Sequence, residues 1–149
     1  GEPSRARRAG ILCWMIGAAF MGTMGLCFVL FGGQLAGVFV KEGEANGLDP
    51  AQVVSLAATL LLVIGFCQLP ESASTILGKA LQGAGATRSV MLVSAGFQWL
   101  LFLPLAWLFA LVLELGALGA MLALAIQLTG AAIVMTWLFL RGRWQSRKL

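Results

Sequence analysis

The chain has 149 residues, 60% of them hydrophobic and 11% charged, with a net charge of +4. Soluble globular domains run near roughly 45–50% and 25%, so a water-soluble fold is not expected, and the absence of histidine and tyrosine removes histidine-based catalysis and most zinc chemistry. Cys13, Cys27 and Cys67 all fall in apolar runs and read as small buried hydrophobes, not as a disulfide framework or a metal site. No nucleophile–base pair stands out, so an enzyme is not expected.

The chain opens on Gly and is expected to be cut from something longer. Arg7-Arg8 ahead of an apolar run mimics a secretory signal, but the run is too long and has no evident cleavage site. Four apolar segments follow, from about Ala9 to Val40, Ala51 to Gly78, Ser89 to Leu113 and Leu115 to Leu140. Each is long enough for the roughly 20 residues that cross a bilayer. Within hydrocarbon such runs satisfy their backbone as helices. The expectation is an all-α membrane protein with four up-down helices at about 9–40, 51–83, 89–113 and 115–140.

The connections are polar or small. Lys41–Leu48 is a flexible linker, and Asp49-Pro50-Ala51-Gln52 reads as a helix start with Asp at the cap and Pro at the first position. Gly83-Ala84-Gly85-Ala86-Thr87-Arg88 holds a Gly-x-Gly but lacks the further glycine, the lysine and the preceding strand of a phosphate cradle. It reads as a turn. Glu114-Leu115-Gly116 forms a tight hairpin.

Charge sets the expected orientation. One side collects Arg5, Arg7, Arg8, Lys79, Arg88, Arg141, Arg143, Arg147 and Lys148; the other has Lys41 with Glu42, Glu44, Asp49 and Glu114. By the positive-inside rule both termini and the Gly83–Arg88 loop are cytoplasmic. The asymmetry accounts for the net charge without nucleic acid as a partner.

Glu71 is the exception to this separation, since it lies inside the second segment beside Pro70. An acid at bilayer depth costs at least a few kcal/mol and persists where it faces a cavity, a partner or a transported ion. Pro70 gives no N–H to the carbonyl of Phe66, which predicts a kink. Gln68, Glu71, Thr75 and Gly78 share one face at spacings of three, four and three, flanked by Ser72 and Ser74 and extended by Gln82. Counting about 1.5 Å per residue from the cytoplasmic ends places Glu71, Gln98, Gln127 and Thr23 at similar depth, roughly 15–22 Å in. One polar group per helix at one depth suits a central cavity; for Gln98, Gln127 and Thr23 interhelical hydrogen bonds serve equally well. The carboxylate suits a proton or a sodium ion, so Glu71 is the candidate coupling residue. Gln68, Ser72, Thr75, Gln98 and Gln127 are the candidate cavity lining.

Trp14, Trp137 and Trp144 fall toward the cytoplasmic boundary and Trp107 toward the outer one, as an aromatic belt requires. Trp99 lies near mid-membrane, for stacking on a cation or for packing. Gly33-x-x-x-Gly37, Ala18-x-x-x-Gly22 and Gly116-x-x-x-Ala120 offer small faces for helix contact. Pro104 should bend the third helix.

Leu69-Pro70-Glu71, Lys79-Ala80-Leu81-Gln82-Gly83-Ala84-Gly85-Ala86-Thr87-Arg88, Leu103-Pro104-Leu105 and Leu115-Gly116-Ala117-Leu118-Gly119-Ala120, in that order, resemble the C-terminal end of multidrug and toxic compound extrusion (MATE) transporters. The opening Gly1–Ala9 is similar to the segment before that family's ninth helix. The resemblance implies helices nine to twelve of a twelve-helix, two-lobe transporter in the bacterial cytoplasmic (inner) membrane, with the other helices upstream of Gly1. It implies export of small organic cations or drugs in exchange for sodium ions or protons, without a further cofactor, and places Glu71 at the family's coupling acid on the tenth helix. Lys79 for a small residue, Gln82 for Arg and Ala86 for Asp depart from the family's loop. They leave open an exporter of lipid-linked precursors or polysaccharides from the same superfamily. A non-transporting membrane assembly subunit, whose polar stripe packs against a partner, is the other alternative.

Overall fold

A computed structural model describes residues 3–39 and 49–141 of the chain. The linker Lys41–Leu48, and with it Glu42 and Glu44, lies outside the described residues, as do Arg143, Trp144, Arg147 and Lys148.

Helix α1 spans Pro3–Phe39 and α2 spans Pro50–Gly83. The third span is composite: α3 (Thr87–Gly96), a π-helical stretch Phe97–Phe102, α4 (Leu103–Trp107) and a second π-helical stretch Leu108–Val112. Helix α5 (Gly116–Leu140) completes the set. All four spans are long and apolar enough to cross a membrane, and no strand occurs among the described residues. The up-down expectation holds. Helix α1 begins six residues before its apolar run because hydropathy marks where lipid starts, whereas the basic Arg5–Arg8 turn forms helix as readily as leucine does.

The helix ends follow local chemistry. Asp49 caps α2, its side chain accepting from the N–H of Ala51 at 3.0 Å with Pro50 at the first position. At the other end Gly85 adopts φ 82°. The N–H of Ala86 reaches the carbonyl of Leu81 at 2.9 Å and that of Gly85 reaches Gln82 at 3.0 Å. This paired closure needs the left-handed conformation that glycine adopts without strain. The Gly-x-Gly is therefore a helix stop. Glu114 and Gly116, at φ 53° and 54°, make the last hairpin.

Helix α2 runs unbroken through Pro70. The third span accommodates its proline differently. Its first widened turn, in which the N–H of Leu103 donates to the carbonyl of Gln98, comes directly before Pro104, a residue with no N–H for the carbonyl four back.

Helix α2 is the hub, packed on α1 along one side and α5 along another. At the α1–α2 glycines the backbones approach most closely at Gly25 and Gly65, where a Cβ on either would lie 2.5 or 2.8 Å from the other's carbonyl oxygen. The buried core gathers at the end carrying Arg8, Lys79, Arg88 and Arg141: Leu77, Leu81, Val90, Met135 and Phe139, with Ile11 and Trp14 against them. At that end the guanidinium of Arg141 stacks 4.4 Å from the Trp137 ring. Asp49 and Glu114 sit at the opposite end.

Candidate functional site

A cleft of about 260 Å³ opens between α2, the third span and α5. Helix α2 supplies Thr75, Gly78, Lys79 and Gln82 from a single face, which follows from spacings of three and four on a helix. The third span supplies Ser94 and Gln98, and α5 supplies Gln127. Nε2 of Gln127 donates to Oε1 of Gln98 at 3.2 Å. The Gln127 Oε1 is buried without a hydrogen-bond partner among the described residues. The first π-helical turn holds Gln98, and its extra residue per turn sets where that amide points. These groups are neutral hydrogen-bonding donors and acceptors. Lys79 is the one formal charge among the described lining residues, which include no carboxylate.

Glu71 stands on the same stripe of α2, four residues before Thr75 and about 18 Å from the Gly83 end at 1.5 Å per residue. On α2 the cleft's lining begins at Ser74 and Thr75, a turn nearer the Gly83 end, and Glu71 does not line it. The side chain is exposed, and its carboxylate makes no hydrogen bond or ion pair among the described residues. Only its backbone carbonyl is engaged, by the hydroxyl of Ser74 at 3.3 Å. Thr75, Gln98 and Gln127 are thus brought together as cavity lining. Gln68 turns instead toward α1, where a Cβ on Gly25 would touch its Cβ at 3.2 Å. Ser72 is 1% exposed and donates to the carbonyl of Leu69 at 2.8 Å, a hydroxyl satisfied by its own helix. Thr23 donates likewise to Ala19 at 2.8 Å and does not line the cleft. Ser94 and Lys79 are additions to the lining, as are Ser74 and Gln82, which the sequence marked only as the flank and extension of the stripe. Ser94 sits four residues before Gln98 and Lys79 four after Thr75, so a one-face search from either known member finds them.

A larger, apolar pocket of about 530 Å³ lies between α1, α2 and the end of α5. Gly10, Cys13, Ile76, Ala80 and Phe139 line it, and it shares Thr75 and Lys79 with the polar cleft. Trp99, 69% exposed, lines neither cavity.

The MatE family profile matches residues 1–108. The chain belongs to the MatE family. It is 32% identical to the probable multidrug resistance protein NorM of Bradyrhizobium diazoefficiens, over 99% of this chain and 30% of that protein. It is 34% identical to the multidrug resistance protein NorM of Burkholderia vietnamiensis, over 93% of this chain and 29% of the relative. The probable NorM of Pseudomonas syringae pv. tomato matches at 31% across 100% of the chain and 31% of its own length. The chain spans about 30% of the length of these curated relatives. No solved structure matches it. Membership in MatE, together with the four apolar helices, makes this a multi-pass membrane protein.

Proposed function

We propose that the chain forms four helices, nine to twelve, of a two-lobe multidrug antiporter that exports organic cations and drugs in exchange for sodium ions or protons. The names of the relatives support multidrug export. One observation carries the coupling: Glu71, the only acid within the four spans, stands on the face of α2 whose next turns, Thr75, Gly78 and Gln82, line the polar cleft. A carboxylate next to a hydratable cleft binds a cation without being locked to a fixed partner. Ion and drug then favour opposite-facing states, because coupling needs differential affinity between states. The basic end, with Arg8, Lys79, Arg88 and Arg141, faces the cytoplasm of a bacterial inner membrane, so the cleft opens on the side from which drugs are taken. The chain's role is that of a transporter, not an enzyme.

The test is Glu71→Gln in the complete transporter reconstituted in vesicles. Ion-driven export is expected to stop while membrane insertion and protein level stay unchanged. Export at the wild-type rate, with the same dependence on the ion gradient, refutes the coupling role.

A further inference from the structure

The two cavities meet at Thr75 and Lys79, and their linings differ in kind. The pocket of about 530 Å³ is apolar, walled by Gly10, Ile76, Ala80 and Phe139, and falls within the size range of drug-sized ligand sites, roughly 300–1,000 Å³. The cleft of about 260 Å³ offers amides and hydroxyls from Thr75, Ser94, Gln98 and Gln127. Between them stands a lysine, and no carboxylate among the described residues lines either cavity to neutralise it. Lys79 is exposed at the shared edge of the two cavities, and a simple organic cation seated beside it meets a like charge.

From this we propose that the paired cavities form a binding site for amphipathic molecules carrying an anionic group, a carboxylate or phosphate, with Lys79 as the residue that recognises the anion. The apolar body of the ligand fills the space beside Phe139 and Ile76, and its polar groups reach Gln98 and Gln127. Thr75 hydrogen-bonds from the shared wall. Lys79 is eight residues, about 12 Å along the axis, from Glu71 on the same drifting face of α2. A ligand with both an anionic and a cationic group therefore spans from the lysine toward the Glu71 carboxylate, a turn of α2 beyond Thr75. Zwitterions are the ligand class that satisfies both charges. This inference rests on the transporter reading above and adds to it a preference within the substrate class.

The experiment compares rhodamine B, which carries a carboxylate on a cationic aromatic body, with its ethyl ester, in vesicles of phosphatidylcholine with and without phosphatidylglycerol. The readout is the ratio of kcat/KM for the two dyes in the complete transporter and in K79Q and K79R. The ratio is expected to favour the carboxylate, to fall about tenfold in K79Q and to stay within about twofold in K79R, the size expected for one charge-assisted hydrogen bond. A ratio that does not change in K79Q overturns the proposal, whether or not both rates drop. If both rates drop only where phosphatidylglycerol is present, the anion held by Lys79 is a lipid phosphate, which also overturns it. Should the wild type export neither dye, the transporter reading is what fails. Calorimetric titration of rhodamine B and its ester into the solubilised protein then decides the inference, by the same ratio of affinities in wild type and K79Q.

Discussion

Replacing Gly25 or Gly65 by alanine is expected to loosen the α1–α2 pair, by an amount the geometry bounds. A Cβ on Gly25 would lie 2.5 Å from the Gly65 carbonyl oxygen, and one on Gly65 would lie 2.8 Å from that of Gly25 and 2.8 Å from Val29 Cγ2. A backbone oxygen limits each site, so no rotamer change alone relieves the clash. To restore about 3.4 Å the helices must part by roughly 0.6–0.9 Å, and a gap of that size forfeits about a quarter to a half of each dispersion contact at the crossing. In lipid no hydrophobic term draws the helices back together, because acyl chains are as apolar as the faces they cover. The expected cost is about 1–3 kcal/mol for each alanine, as for other overpacked sites. The double variant should cost less than the two added, since one separation relieves both clashes. Steric trapping in bicelles, with biotin tags on α1 and α2, reads the change directly. Gly33→Ala and Gly37→Ala are the references, since a Cβ at either meets nothing within 4 Å among the described residues. If Gly25→Ala and Gly65→Ala match those references within about 0.5 kcal/mol, the close crossing is wrong.

The Gln98–Gln127 hydrogen bond should show a coupling of about 1 kcal/mol in a double-mutant cycle to alanine, measured by unfolding in detergent, as interhelical side-chain bonds in membranes do; a coupling of zero means the two amides do not meet. Gly85→Ala should destabilise the α2 terminus by about 1–2 kcal/mol because φ 82° is strained for a residue with a Cβ, read as faster amide exchange at Gly85 and Ala86; unchanged exchange rejects the left-handed turn. Asp49→Ala should cost about 1 kcal/mol by removing the cap on Ala51, visible as fraying of residues 51–53 in the same exchange experiment.

The spans, the Asp49 cap and the Gly85 stop were legible because each rests on a local rule: run length, an oxygen beside free N–H groups, a glycine where φ turns positive. The depth count also brought Gln98 and Gln127 together, since two groups equally far from one boundary on neighbouring antiparallel helices must meet if they face each other. It failed for Thr23, whose short side chain bonds its own helix at Ala19, and depth carries no rotational information. Gln68 shows the same gap, for a spacing of three leans far enough around α2 to put it on the α1 side. The small-residue patterns on α1 pointed to Gly33 and Gly37, where a Cβ meets nothing within 4 Å, and to Ala18 and Gly22, of which Gly22 does face Leu69 of α2, whereas the closest backbone approach uses Gly25 and Gly65. A close approach needs small residues on both helices at one level, and a motif read along a single helix cannot supply the second. The π-helical turns left only Pro104 as a trace, because widening is a response to packing as much as to sequence.

The exposure of Glu71 bears on the choice between a transporter and an assembly subunit. A carboxylate about 18 Å inside a span cannot rest against acyl chains without a cost of roughly 2.5 kcal/mol or more. Among the described residues nothing offsets this: no cation lies within ion-pair reach, and the polar wall of the cleft begins about a turn away, at Ser74 and Thr75. The compensation therefore comes from water admitted through the cleft, from a bound cation, or from surfaces beyond the described residues. A subunit that merely packs would close a dry partner over the stripe, leaving the cleft beside Thr75 and Gln98 without water and Lys79 without counter-charge. A transporter needs the reverse, since a site that must release its ion in every cycle has to be wetted from one side at a time. Cysteine placed at Thr75 or Gln98 in the complete protein should react with a membrane-impermeant maleimide from the cytoplasmic side, faster when the ion gradient is absent. Protection at both positions under all conditions would leave the dry-partner account standing and remove the coupling role from Glu71.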